Sequence, residues 1–258
     1  MWVLLLIILL FVVVLGTRAP LVPGSVYITG ANSQYIPGVI ALKKSMNKVG
    51  TRYPLYCMCW DDVTPKQLKL LKSHNIRIIP EKLSSIYNPY NPKWTEAFGK
   101  LKLWNYTQFN KICWIDSDII VLQNIDSLFN KPIKNDEIMA APTSSIFTNE
   151  PKFNDHTGAF NAGLFVIIPT TKQHNKIQSQ VGKLHSYDGG DQGFLMSYFN
   201  NKVIFIGSEY NYLKRGLKRH RKFNIRKIKA LHFVGHPKPW AGGERGYEQL
   251  QKIWDRFA

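Results

Sequence analysis

The sequence predicts an α/β fold in which a mainly parallel central sheet is flanked by helices. From residue 25 onward, apolar runs of four to eight residues alternate with amphipathic helical stretches. A helix-opening signal, Thr64 followed by Pro65, falls between two such runs. Of the 258 residues 45% are hydrophobic, enough for one substantial core.

Taken in order, "WVLLLIILLFVVVL" (2–15) is an unbroken apolar run, shorter than the roughly 20 residues a bilayer span requires. It predicts a targeting segment over 1–20, either a cleaved signal peptide or a short membrane anchor, hence the secretory pathway or a membrane. Residues 21–258 are expected to form one catalytic-type domain. "SVYITG" (25–30), "YPLYCMCW" (53–60) and "IRIIP" (76–80) read as strands, with helices over 37–49 and after Thr64. This βαβαβ start implies parallel strands joined by crossover helices. "TEAFGKLKLWNYTQF" (95–109) reads as a helix, so the Asn105-Tyr106-Thr107 glycosylation triplet is expected to be buried in it. Further strands are expected at 162–169, 203–206 and 230–235, with helices over 171–185, after the loop 186–193, and at the C-terminus.

Charge narrows the partners. Lysine and arginine number 34 against 17 acidic residues, a formal charge of +17 that favours polyanions. Nine of the sixteen residues in "KRGLKRHRKFNIRKIK" (214–229) are basic, either a docking segment for an anionic surface or a solvated loop. Nucleic acid fits poorly with a targeting leader. Cys57, Cys59 and Cys113 are too few for a disulfide framework, and no zinc-type spacing accompanies them. Cys57 and Cys59, two apart on a strand, should point to one face as small hydrophobes.

Three stretches carry chemistry. "ICWIDSDIIVL" (112–122) sets Asp116 and Asp118 inside an apolar run, which means a divalent-cation site or an acidic surface turn. On an extended segment the two carboxylates would face the same way, at the carboxyl end of a strand where open α/β sheets place ligands. "YDGGDQG" (187–193) pairs Asp188 and Asp191 with two glycines and Gln192, which suits sugar hydroxyls or, alternatively, a helix cap. "LHFVGHPKPW" (231–240) ends a strand at His232 and adds Lys238, so the histidine is a metal ligand or a satisfied core residue.

Together and in this order, these stretches resemble the glycogenin-like, family 8 retaining glycosyltransferases. "GKLKLWNYTQFNKICWIDSDIIVLQNIDSLF", "FNAGLFVIIPT", "DGGDQGFL" and "HFVGHPKPW" each resemble a family motif, and "YITGANSQY" resembles the nucleotide-binding start. The resemblance spans about 25–241 and implies a GT-A fold, a UDP-sugar donor and Mn²⁺. It implies that Asp116, Asp118 and His232 ligate the metal. Asn32, Tyr35 and the backbone from Thr29 to Ala31 would meet the uridine. Ser117 and Lys100 would lie by the donor, with Asn161 near the sugar. Asp188, Asp191 and Gln192 would hold the transferred sugar, and Gly235 and Lys238 the diphosphate. Asp191, Gln192 and Lys238 are the candidate catalytic residues, and same-face attack is favoured over a covalent intermediate on Asp191. The sequence departs from glycogenin where the basic segment replaces a tyrosine-bearing acceptor loop. That change points away from self-glucosylation and toward an anionic lipid, an inositol-containing head group or a glycan as acceptor. A haloacid-dehalogenase-type phosphatase would explain the Asp-x-Asp alone, and a nucleic-acid-binding module would explain only the charge.

Overall fold

The computed structural model describes residues 20–143, 159–216 and 224–258. Its centre is a seven-stranded sheet of order β3-β2-β1-β4-β7-β6-β8, beside a three-stranded sheet of order β5-β10-β9. The large sheet contains β1 (Ser25–Ala31), β2 (Leu55–Cys59), β3 (Arg77–Pro80), β4 (Lys111–Ile115), β6 (Ile138–Pro142), β7 (Phe160–Ile167) and β8 (Val203–Phe205). The small sheet contains β5 (Ile119–Val121), β9 (Tyr212–Leu213) and β10 (Ala230–His232). Strands β3, β2, β1 and β4 pair in parallel, while β7 runs antiparallel to both β4 and β6. The mainly parallel α/β sheet expected from the sequence is therefore present.

Strand burial explains the apolar runs. Residues on the two faces of the sheet enter different cores: Tyr27, Cys57, Cys59, Cys113 and Ile115 on one side, Val26, Ile28, Met58, Ile112 and Trp114 on the other. All eight residues of β7 are buried, as expected for a strand covered on both faces. Helix α1 (Ile36–Lys48) lies on the first face, with Val39, Leu42 and Met46 spaced at three and four residues. Helix α2 (Pro65–Ser73) opens as the sequence predicts: the Thr64 hydroxyl accepts from Gln67 N–H and the Gln67 side chain returns to Thr64 N–H. Helices α4 (Thr171–Gln180), α5 (Asp191–Tyr198) and α6 (Glu248–Trp254) follow, the last packing Leu250 and Trp254 against Leu231 and Phe233 of the small-sheet core.

Several boundaries differ from expectation. The stretch 95–109 is not one helix but a single turn, α3 (Thr95–Phe98), followed by a 3-10 segment, Gly99–Asn105. A Cβ at Gly99 would lie 2.1 Å from Trp60, so this segment is pressed too closely on the core to accept a larger residue there. Asn105 is exposed at its end rather than buried in a helix. The helix expected over 171–185 ends at Gln180, and β6 and β9 were not anticipated. Residues 1–19 of the expected 1–20 targeting segment and residues 217–223 of the basic 214–229 segment lie outside the described residues. Among those described, no helix is long and apolar enough to cross a membrane.

Candidate active site

The acidic stretch proves to be a corner between the two sheets. Strand β4 ends at Ile115, Asp116 donates its backbone N–H to Gly163 O of β7 (2.7 Å), and the chain then turns through Ser117. Strand β5 begins at Ile119 and pairs not with β7 but with β10, His232 facing Ile119 in the register. Phe233 N–H closes the corner on Asp118 O at 2.9 Å. Asp116 and Asp118 thus sit on a turn rather than an extended segment. Their convergence comes from the change of sheet, and the same pairing delivers His232.

Ligand atoms of Asp116, Asp118 and His232 all lie within 4.8 Å of one another. His232 Nε2 is 3.2 Å from Asp118 Oδ1 and 3.8 Å from Asp116 Oδ2. Lysines flank the group on two sides. Lys238 Nζ lies 2.5 Å from Asp118 Oδ2, and Lys100 Nζ lies 3.1 Å from Asp116 Oδ1 and 2.9 Å from Asp191 Oδ2. Burial would raise the Asp118 carboxyl, but His232, when its ring is protonated, and Lys238 reverse the shift and hold it well below the usual carboxylate range. Burial would likewise lower the Lys100 ammonium, yet Asp116 and Asp191 outweigh it and keep it above the ordinary lysine value. Burial pushes the Asp191 carboxyl up, with Lys100 opposing the shift. Lys100 and Lys238 thus balance the charge of Asp116, Asp118 and Asp191.

A relay of amides orients the histidine. Gly163 N–H donates to Asn161 Oδ1 (3.0 Å) and Ala162 N–H to Gln192 Oε1 (3.2 Å), which fixes both side-chain oxygens as acceptors. Asn161 Nδ2 therefore donates to Gln192 Oε1 (3.0 Å), and Asn211 Nδ2 donates to Asn161 Oδ1 (2.7 Å). Asn211 Oδ1 is left facing His232 Nδ1 at 2.9 Å, so in the neutral imidazole the proton sits on Nδ1. The Nε2 lone pair then points toward carboxylate oxygens, an arrangement that a cation stabilises. For a divalent cation held by these three groups, we expect Asn211→Ala to weaken binding by about 10–100-fold, measured by metal titration, with the three ligands intact. Asn211 was not found from the sequence, because "SEYNYL" carries no pattern that marks it.

The other candidates distribute as follows. Tyr35 meets Trp240 edge-on (centroids 5.2 Å apart), with Lys238 Nζ 5.6 Å from its ring. Asn32 caps the following turn by accepting from Gln34 and Tyr35 N–H, and donates to Glu96 Oε2 at 2.8 Å. Thr29 and Ala31 are buried in β1, and the Ser117 carbonyl packs over Gly38 of α1. Gly235 takes φ +87° in the turn between His232 and Lys238, a backbone region that glycine enters without strain. Asp188 is committed to local structure: its Oδ1 accepts from Ser186 Oγ, Gly190 N–H and Gly193 N–H, holding the start of α5. That helix opens with Asp191 and Gln192, and so aims both at the site.

A half-buried and a buried carboxylate, an imidazole and two lysines at the end of a mostly parallel sheet suit a nucleoside diphosphate-linked substrate. The family model described as glycosyl transferase family 8 matches residues 27–243. The chain belongs to that family. It is thereby a glycosyltransferase by class, in a family of retaining enzymes that take nucleotide-sugar donors, and the phosphatase alternative is set aside. The chain is 29% identical to glycogenin-1 of Caenorhabditis elegans over 253 residues, 86% of this chain and 53% of the relative. It is 32% identical to inositol phosphorylceramide glucuronosyltransferase 1 of Arabidopsis thaliana over 169 residues, 64% of this chain and 28% of the relative. It therefore spans about half or less of these two relatives. The galactosyltransferase LgtC, solved with donor and acceptor sugar analogs, superposes with a TM-score of 0.65 at 17% identity, covering 90% of this chain and 96% of LgtC. That likeness shows the GT-A fold.

Proposed function

We propose that this family 8 chain moves a hexose or pentose from a UDP-sugar to an acceptor with retention of configuration, using Mn²⁺ held by Asp116, Asp118 and His232. The observation that carries the reading is the convergence of those three ligand atoms within 4.8 Å, between Lys100 and Lys238. The donor set fits the ion: two carboxylates and an imidazole whose free nitrogen faces them. When bound, the cation stabilises negative charge on the departing diphosphate.

The chain's own residues supply the rest. Lys238 balances Asp118, and a diphosphate oxygen offers its ammonium a second anionic partner in the same place. Gly235 and Ser117 give that diphosphate backbone to approach. Tyr35, Asn32 and the backbone from Thr29 to Ala31 form the uridine end. Asn161 and Gln192, locked by the amide relay, border the sugar, and Asp191 accepts hydrogen bonds from its hydroxyls. Lys100 holds the Asp191 carboxylate, which favours same-face attack over a covalent intermediate.

The acceptor we assign is an anionic lipid or an inositol-containing head group. Support comes from the +17 charge, the basic 214–229 segment and the name of the ceramide-linked relative. Residues 1–20 would deliver the enzyme to the secretory pathway or a membrane surface, with 21–258 acting as one domain. The test is to incubate the full chain with Mn²⁺ and UDP-glucose, UDP-galactose, UDP-xylose or UDP-GlcNAc and follow UDP release without acceptor. At least one donor should be hydrolysed slowly, and EDTA should stop the release. No release from any donor, or release indifferent to EDTA, would refute the reading.

A further inference from the structure

Large exposed hydrophobic side chains are few among the described residues: Leu21, Leu70, Tyr87, Trp94, Tyr187 and Phe205. Single exposed hydrophobes need no explanation, but two of these six border the same loop. Trp94 is 48% and Tyr187 56% exposed, and both touch the loop that carries Asp191 and Gln192. Tyr187 belongs to that loop, and its hydroxyl accepts from Gln192 Nε2 at 2.5 Å. Trp94 packs over the loop, since a Cβ at Gly190 would lie 3.5 Å from Trp94 Cγ. Gly190 immediately precedes Asp191, and Asp191 is paired with Lys100, six residues beyond Trp94.

The segment that carries Trp94 is anchored rather than free. The Tyr90 hydroxyl donates to Leu184 O (2.6 Å) and accepts from Gly182 N–H (2.9 Å), so it bridges 88–94 to the chain entering the loop. Asn88 Nδ2 donates to Asn91 O at 2.7 Å, and Asn91 packs beneath Gly189. Aromatic faces held in place at a polar site offer apolar contact at low ordering cost. A sugar or cyclitol presents the matching partner, an apolar C–H face edged by hydroxyls.

We infer that Trp94 and Tyr187 form an acceptor subsite that takes a polyhydroxylated six-membered ring by stacking. This rests on the donor-transfer reading above and names the class of acceptor it serves. Tyr187 also links the two halves of the site, because its hydroxyl meets the same Gln192 amide that closes the His232 relay. A free sugar and a cyclitol share the required chemistry, and the test separates them.

The full chain, with Mn²⁺ and whichever UDP-sugar it hydrolyses fastest, is assayed for UDP release above the acceptor-free rate. The probes are maltose, lactose, xylobiose and myo-inositol. At least one should stimulate release; a response confined to myo-inositol assigns the ring to a cyclitol, and a response to the disaccharides assigns it to a sugar. Trp94→Ala and Tyr187→Ala should each raise the acceptor KM about tenfold, equivalent to about 1.4 kcal/mol of lost contact. Trp94→Phe and Tyr187→Phe should largely restore it, since Tyr187→Phe keeps the ring and loses only the bond to Gln192. Tyr87→Ala, at a tyrosine 71% exposed and outside the loop, should change nothing. The inference is overturned if no probe stimulates a chain that still hydrolyses donor, or if stimulation survives both alanine changes. Absence of donor hydrolysis would instead strike the underlying reading.

Discussion

Asp118→Asn is expected to lower metal-dependent UDP release by about 10³-fold, the loss of several kcal/mol of charge stabilisation at the leaving group. Shape is conserved by the change, so the effect isolates charge. Asp118 is buried, and its carboxylate is kept ionised against burial by the protonated His232 ring or, with that ring neutral, by Lys238. The amide would remove one cation ligand and also leave the Lys238 ammonium buried beside a neutral group. The measurement is initial-rate UDP release at saturating donor with Mn²⁺ varied. Unchanged activity would remove Asp118 from the metal site.

Gly163→Ala is expected to be nearly as damaging, although it deletes no functional group. A Cβ at this position would lie 2.4 Å from His232 Cε1, 2.7 Å from His232 Nδ1 and 2.8 Å from Asn161 Oδ1. Distances this short force something to move. Gly163 lies within β7, so the histidine and Asn161, not the strand, must give way. The imidazole would swing from the carboxylates and lose its bond to Asn211, costing about 10²-fold in Mn²⁺ affinity and a matching loss of activity. Overpacking should also lower stability by about 1–3 kcal/mol, read from chemical denaturation. A variant with wild-type Mn²⁺ affinity would mean that the ring is not held as described.

Much of this was legible in the sequence, for identifiable reasons. Strands β1 and β2 are legible because residues buried on both faces leave continuous apolar runs, and β3, at the sheet edge, because Ile78 and Ile79 still pack against one core each. The Thr64-Pro65 start was found because capping is local chemistry. Asp116, Asp118, His232 and Lys238 were singled out by their motifs, and the fold brings all four within contact. What was hidden depends on tertiary pairing. A strand that leaves one sheet for another keeps the same apolar pattern, so "ICWIDSDIIVL" gave no sign that β4 and β5 part company. The 95–105 segment has helix-forming composition, and its close approach to the core, Gly99 against Trp60, is a tertiary contact that this composition does not report. Asn211 acts through partners on β7 and β10, and no spacing within its own segment could report that.

The most direct test of the site is Mn²⁺ binding itself, followed by the electron paramagnetic resonance signal of the free ion in the presence of UDP. One ion should bind per chain. The affinity should fall about tenfold or more in Asp118→Asn and in His232→Ala, and binding should vanish when both are changed. One ion bound with undiminished affinity by the double variant would contradict the assignment of Asp116, Asp118 and His232 as a single cation site.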